Sequence, residues 1–230
     1  CTGDLFDGPQ PTGRRLPLAD VRVLAPVRPG KMIAIWNNLR TAAAKHGWDA
    51  PAEPLYVLKP STCCIGQGET IRRPAGYDGR IVFEGELGVV IGRRCNAVSE
   101  AEAADHIFGF TCVNDVTALQ LIDADPSFAQ WTRAKGFDTF GVLGPVVATG
   151  LDPATLNVRT TLNGRERQNY PVADMFFGPA ALVSHLSRNM TLEPGDVIAC
   201  GTSLGVAPMK TGQVVDVTID GIGSLSNPFE

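Results

Sequence analysis

The sequence predicts an α+β fold that is mainly β, with short peripheral helices. Turn residues are frequent and scattered, 25 Gly and 17 Pro among 230 residues, which suits many short strands and tight turns. Predicted strands outnumber predicted helices. The strict strand–helix–strand alternation of a parallel α/β sheet is absent.

Residues 1–20 read as an irregular lead-in and residues 21–230 as one main domain. Residues 21–26 and 32–36 are predicted strands joined by a turn at Pro29-Gly30. Residues 39–46 (Leu-Arg-Thr-Ala-Ala-Ala-Lys-His) form a predicted helix that stops at Gly47, a residue suited to the left-handed C′ position. Residues 55–59 are a strand stopped by Pro60, and residues 81–91 an apolar strand that carries two glutamates. Ser99 with Glu102 three residues on is a capping-box pattern, so residues 99–106 are a helix. Residues 108–114 are a strand. Residues 115–122 can be read as a short helix capped by Asp115, a structural role for that carboxylate. Residues 158–163 and Gly164 open a hairpin. Residues 179–187 are an amphipathic helix with Leu182, Val183 and Leu186 on one side, and 197–200 and 214–219 are late strands.

The composition is that of an ordinary globular chain, 44% hydrophobic and 19% charged, with a net charge of −4. Basic residues cluster no further than Arg14-Arg15 and Arg93-Arg94, which argues against a nucleic-acid partner. No apolar run reaches membrane-spanning length and no secretory pattern opens the chain, so no membrane partner is expected. Cys1 in place of an initiator Met suggests a trimmed or partly ordered N-terminus. The six cysteines (Cys1, Cys63, Cys64, Cys95, Cys112 and Cys200) form no CxxC pair or regular framework. Cys112 and Cys200 lie in apolar runs and read as buried free thiols. A reduced, cytoplasmic setting is expected.

Glu84 and Glu86 carry the chemistry. Side chains alternate along a strand, so the two point the same way, roughly 6–7 Å apart along the backbone. The run around them, Arg80-Ile81-Val82-Phe83 and Leu87-Gly88-Val89-Val90-Ile91, is too apolar for a solvent-facing edge. Two carboxylates held there repel each other and resist desolvation. A shared proton relieves that, and so does a hard divalent cation with oxygen ligands. Asp115 would be a third carboxylate. The structural alternative is a strand whose polar face looks at water.

At Glu84-Gly85-Glu86-Leu87, Asn114-Asp115-Val116-Thr117-Ala118 and Lys135-Gly136-Phe137-Asp138-Thr139-Phe140 the chain resembles the fumarylacetoacetate hydrolase family. The resemblance continues through Gly144-Pro145, Asn163-Gly164, Leu192-Glu193-Pro194-Gly195-Asp196 and Gly201-Thr202, from about Val23 to Asn227. It implies a mixed β-sandwich roll, a catalytic domain over residues 21–230, a homodimer and an Mg²⁺ or Mn²⁺ site. It implies 2-oxo and 2,4-dioxo acids of aromatic-compound catabolism as substrates, processed through an enol or enolate held by the metal. Carried over by motif, Glu84, Glu86 and Asp115 fall on the metal ligands. Lys135 falls on the lysine that holds substrate or its developing charge, with Asp138 pairing with it or fixing the loop. Gly201 and Thr202 fall on the turn that contacts the substrate carboxylate.

The chain departs from the family pattern in two places. Hydrolytic members carry Asn-Tyr-x-x-His-x-x-Glu on a lid, where His and Glu activate water. Here the run is Asn37-Asn38-Leu39-Arg40-Thr41-Ala42-Ala43-Ala44, so Thr41 and Ala44 take the dyad positions and neither is a general base. An Arg-Asp after Asp-Val-Thr-Ala is replaced by Leu119-Gln120. His46 is the candidate replacement base, against the alternative of an exposed His at a helix C-terminus. Arg40 is a candidate carboxylate clamp, against a plain surface cation. These losses favour decarboxylation or isomerisation by tautomerisation over hydrolysis. The alternatives are C–C hydrolysis of acylpyruvates such as fumarylpyruvate, and a non-catalytic 2-oxo-acid binding protein of the same fold.

Overall fold

The computed structural model describes residues 2–230; the reading of Cys1 as a trimmed N-terminus falls outside them. Seven strands form the largest sheet. Their order is Leu55–Lys59, Met32–Trp36, Val197–Ala199, Gly85–Ile91, Ile107–Asp115, Gly141–Ala148 and Cys64–Ile65. Pairing is antiparallel except where Met32–Trp36 meets Val197–Ala199 and Cys64–Ile65 meets Gly141–Ala148. Arg165–Pro171, Asn157–Leu162, Val214–Ile219 and Gly223–Pro228 make a four-stranded antiparallel sheet. Ala207–Pro208, Ile81–Phe83 and Thr117–Ala118 make a small three-stranded one.

The main core lies between the two larger sheets. Leu87, Val89 and Ile91 meet Val158, Val217 and Ile219 there, and the helix Pro179–Asn189 closes it with Leu182, Val183 and Leu186. Met32, Val90, Val113 and Val197 form a second cluster on the other face. The lead-in reaches this face through Phe6, whose ring packs edge-on against Phe108 at 5.0 Å. With both faces covered, every residue of Gly85–Ile91 is buried, which is why its sequence reads as a continuous apolar run.

Two neighbouring strands change sheet at the same place. Ile81–Phe83 hands over to Gly85–Ile91 across Glu84, and Ile107–Asp115 hands over to Thr117–Ala118 across Val116. The Asp115 N–H donates to the Glu84 carbonyl at 2.8 Å and fixes the crossing. Gly85 sits in the crossing because nothing larger fits: a Cβ there would stand 1.9 Å from Thr160 Oγ1.

Most predicted elements are present. The first helix is Arg40–His46 and ends at Gly47, with φ +71°. The Ser99–Glu102 capping box forms and starts Glu100–Ala103, continued by a 3₁₀ turn. Cys63, Cys64, Cys95, Cys112 and Cys200 are free thiols; burial pushes the Cys112 thiol up to about 12. No helix among the described residues is long and apolar enough to cross a membrane.

Three expectations are corrected. Residues 21–26 join no sheet; Val23 and Ala25 are half-buried and Arg22 and Leu24 exposed, so the alternation reflects packing on one side without pairing. Residues 81–91 are two strands broken at Glu84. Asp115 caps no helix: it ends a strand, Thr117–Ala118 pairs with Ile81–Phe83, and only Leu119–Leu121 is helical, as a 3₁₀ turn. Its carboxylate is taken by two lysine side chains.

Gly85→Ala should destabilise the fold by about 1–3 kcal/mol through overpacking against Thr160. Urea denaturation checks this, and a variant as stable as wild type would show that the two sheets can separate at this point.

Candidate active site

Glu84, Glu86 and Asp115 each present a carboxylate oxygen, and these atoms lie within 4.8 Å of one another. Glu84 stands in the break between strands, Glu86 two residues on, and Asp115 at the end of the adjacent strand. The backbone around them is pinned. The Glu84 N–H donates to Asn114 Oδ1 at 3.0 Å. The Gly85 carbonyl accepts from the Tyr170 hydroxyl at 2.7 Å and the Thr202 hydroxyl at 2.9 Å. Gly201, with φ +96°, turns its N–H onto Glu86 Oε2 at 2.7 Å. A Cβ at Gly201 would press within 3.1 Å of Asn38, so glycine is required here for both conformation and space.

Two buried lysines hold the acidic group. Lys135 Nζ donates to Glu84 Oε2 at 2.8 Å, to Asp115 Oδ2 at 2.6 Å and to Thr117 Oγ1 at 2.7 Å. Lys59 Nζ pairs with Asp115 Oδ1 and donates to the Phe140 carbonyl at 2.9 Å. Burial works against the Asp115 charge, but Lys135 and Lys59 outweigh it and hold the carboxyl below its ordinary range. Burial raises Glu84, with Lys135 pulling the other way. Glu86 is raised well above the usual carboxylate range by burial, and then by the nearby Asp115 and Glu84 charges. Burial would also lower Lys135, but the three carboxylates keep it protonated.

Glu86 Oε1 is buried and has no hydrogen-bond partner. An orphaned acceptor beside other carboxylate oxygens is satisfied by a cation. An all-oxygen donor set fits a hard divalent ion such as Mg²⁺ or Mn²⁺ rather than a thiophilic one. Glu84, Glu86 and Asp115 therefore fit the group that the sequence motifs imply.

In front of this cluster is a cavity of about 280 Å³. Its lining includes Glu84, Lys135 and Thr202, and also His46, Asn37 and three tryptophans. The helix Trp131–Lys135, unpredicted from sequence, carries both Trp131 and Lys135 to the wall. Thr202 also accepts from Gln168 Nε2 at 2.8 Å. His46 stacks on Trp48 at 4.4 Å.

The structure thus brings Glu84, Glu86, Asp115, Lys135, Gly201 and Thr202 together and sets His46 on the cavity wall. It does not bring Arg40 or Asp138 there. Arg40 turns away, pairing with the Met175 carbonyl and lying 5.1 Å over the Phe176 ring. Asp138 is in an exposed position of a turn, and Lys135 pairs with Glu84 and Asp115 instead. Thr41 and Ala44 are exposed on the far side of their helix. Sequence reasoning missed Lys59, although a lysine closing an apolar strand before Pro60 is a signal for a buried, paired cation. It also missed that the tryptophans converge.

Residues 31–230 match the family described as fumarylacetoacetate (FAA) hydrolase C-terminal, and residues 1–26 the one described as Rv2993c-like, N-terminal. The chain belongs to the fumarylacetoacetate hydrolase family. It is 43% identical to a solved 2-hydroxyhepta-2,4-diene-1,7-dioate isomerase from Mycobacterium marinum, with a TM-score of 0.90 over 99% of this chain and 85% of that one. It is 37% identical to the oxaloacetate tautomerase YisK of Bacillus subtilis, over 91% of this chain and 73% of that protein. It is 30% identical to a maleylpyruvate hydrolase from Sphingobium sp. SYK-6, solved with manganese(II) and pyruvate, with a TM-score of 0.80 over 94% of this chain and 76% of that one.

Millimolar Mg²⁺ should raise the Tm of the wild type but not of Glu86→Gln, read by thermal unfolding. The gain should shrink as pH falls, because the raised pKa of Glu86 lets a proton compete with the ion. A Tm indifferent to Mg²⁺ at every pH would dismiss the site. Asp115→Ala leaves Lys59 buried without its carboxylate and should cost about 3–5 kcal/mol in urea denaturation.

Proposed function

We propose that this protein is a divalent-metal-dependent lyase or isomerase that decarboxylates or tautomerises a 2-oxo acid. The observation that carries this is the orphaned Glu86 Oε1 within a carboxylate–lysine cluster that opens onto a cavity whose lid helix lacks a water-activating pair. Glu84, Glu86 and Asp115 would hold Mg²⁺ or Mn²⁺, which would supply a Lewis acid for the 2-oxo group.

The chain's own residues do the rest. Lys135, kept protonated by its carboxylate neighbours, adds a fixed positive charge beside the developing anion and is not a base. The Thr202 hydroxyl and Asn37, whose buried Oδ1 has no partner, offer polar contacts on the wall. His46 is the imidazole placed to carry a proton to or from carbon in a tautomerisation. Decarboxylation needs only the charge stabilisation.

A second reading, hydrolysis of acylpyruvates with His46 as the base, is favoured by the position of that imidazole on the cavity wall. The homodimer is proposed as well. The sheet-edge strand Leu55–Lys59 leaves Tyr56 and Leu58, which share one face, about two-fifths exposed, an apolar pair that a second copy can cover.

Mg²⁺-loaded and chelated protein should be incubated with oxaloacetate and with an acylpyruvate, and products read by mass spectrometry and NMR. Metal-dependent CO₂ release or enol–keto conversion is expected, with decarboxylation surviving His46→Ala. Pyruvate plus a free acid from the acylpyruvate, with oxaloacetate untouched, would replace this reading with hydrolysis.

A further inference from the structure

The cavity before the carboxylate cluster has two unlike ends. One is polar, with Glu84, Lys135 and Thr202. The other is aromatic, and it uses all three tryptophans of the chain, Trp36, Trp48 and Trp131. Trp36 is the centre of the group. Its ring centroid lies 4.9 Å from that of Trp48 and 5.8 Å from that of Trp131. The three come from separate parts of the chain: the strand Met32–Trp36, the segment after the lid helix, and the helix that carries Lys135. Such convergence is a built wall. Ile122 and Leu119 extend its apolar surface.

Cations are scarce on this wall. Lys135 is the one Lys or Arg among the described residues that line the cavity, and it is engaged by Glu84 and Asp115. Arg40 is turned onto the Met175 carbonyl and the Phe176 ring. A carboxylate pushed against the indoles would lose its water and find no cationic partner except His46 when protonated, which is unfavourable. A flat, uncharged, unsaturated group gains there, from burial and from stacking on ring faces and edges.

We propose that the tryptophan wall selects 2-oxo acids whose tail beyond the keto group is flat and uncharged, aryl or alkenyl, over those ending in a distal second carboxylate. This rests on the reading of the polar end as the site that holds the 2-oxo acid head. A short diacid such as oxaloacetate keeps both carboxylates near that head. In fumarylpyruvate the second carboxylate would be carried onto the indoles.

The test measures Kd by calorimetry and tryptophan quenching on the Mg²⁺-loaded chain, with oxalate as the head alone, benzoylpyruvate as the flat uncharged acid and fumarylpyruvate as the diacid. Benzoylpyruvate should bind at least about tenfold tighter than fumarylpyruvate. Trp48→Leu and Trp131→Leu should each narrow that gap and leave oxalate affinity unchanged; Trp48, half-exposed, is the safer variant for folding. Fumarylpyruvate binding as tightly as benzoylpyruvate would overturn the proposal. So would tryptophan variants that weaken oxalate as much as benzoylpyruvate. Oxalate failing to bind at all would remove the head site, and the selectivity with it, a result distinct from a lost preference with oxalate still bound.

Discussion

Asp115 held between Lys59 and Lys135 is the interaction on which the site depends. Burying three carboxylates within 4.8 Å of one another is unfavourable unless opposite charge is buried with them. The chain supplies that charge from two directions. Lys59 comes from the edge strand of the large sheet and Lys135 from the short helix beside the cavity. Each lysine also ties its own element to the place where two strands change sheet. The charge balance and the topology are therefore one arrangement, since the same contacts that neutralise Asp115 fix the walls of the cavity.

The division of labour among the carboxylates follows from this. Asp115 is ionised by its lysines, and Glu84 shares one of them. Glu86 has no cation of its own and one oxygen without any partner. The cluster is thus compensated at one end and electrostatically open at the other.

The acidic cluster was legible in the sequence because it is local: a two-residue spacing on an apolar run, and an Asp closing the next one. Short motifs at Lys135 and at Gly201-Thr202 were legible for the same reason. Lys59 was not, because its role depends on a register that only the folded sheet defines, Lys59 opposite Met32. The strand Gly223–Pro228 escaped because one side of it looks outward and its composition is polar. Residues 21–26 misled in the opposite sense, being apolar and alternating yet unpaired. The contact of the tryptophans could not be read from positions 36, 48 and 131, which share no pattern along the chain.

Gly85 separates the two glutamates, and it has a consequence for how such a chain can diverge. A Cβ at this position would meet Thr160 of the opposing sheet, so any side chain forces the two sheets to shift. The flanking carboxylates are held by partners of their own, Lys135 on Glu84 and the Gly201 N–H on Glu86. The spacer between them is the stricter inheritance. Changes at the cavity wall leave untouched the pitch at which the two carboxylates are offered, which is fixed by packing on the other side of the sheet.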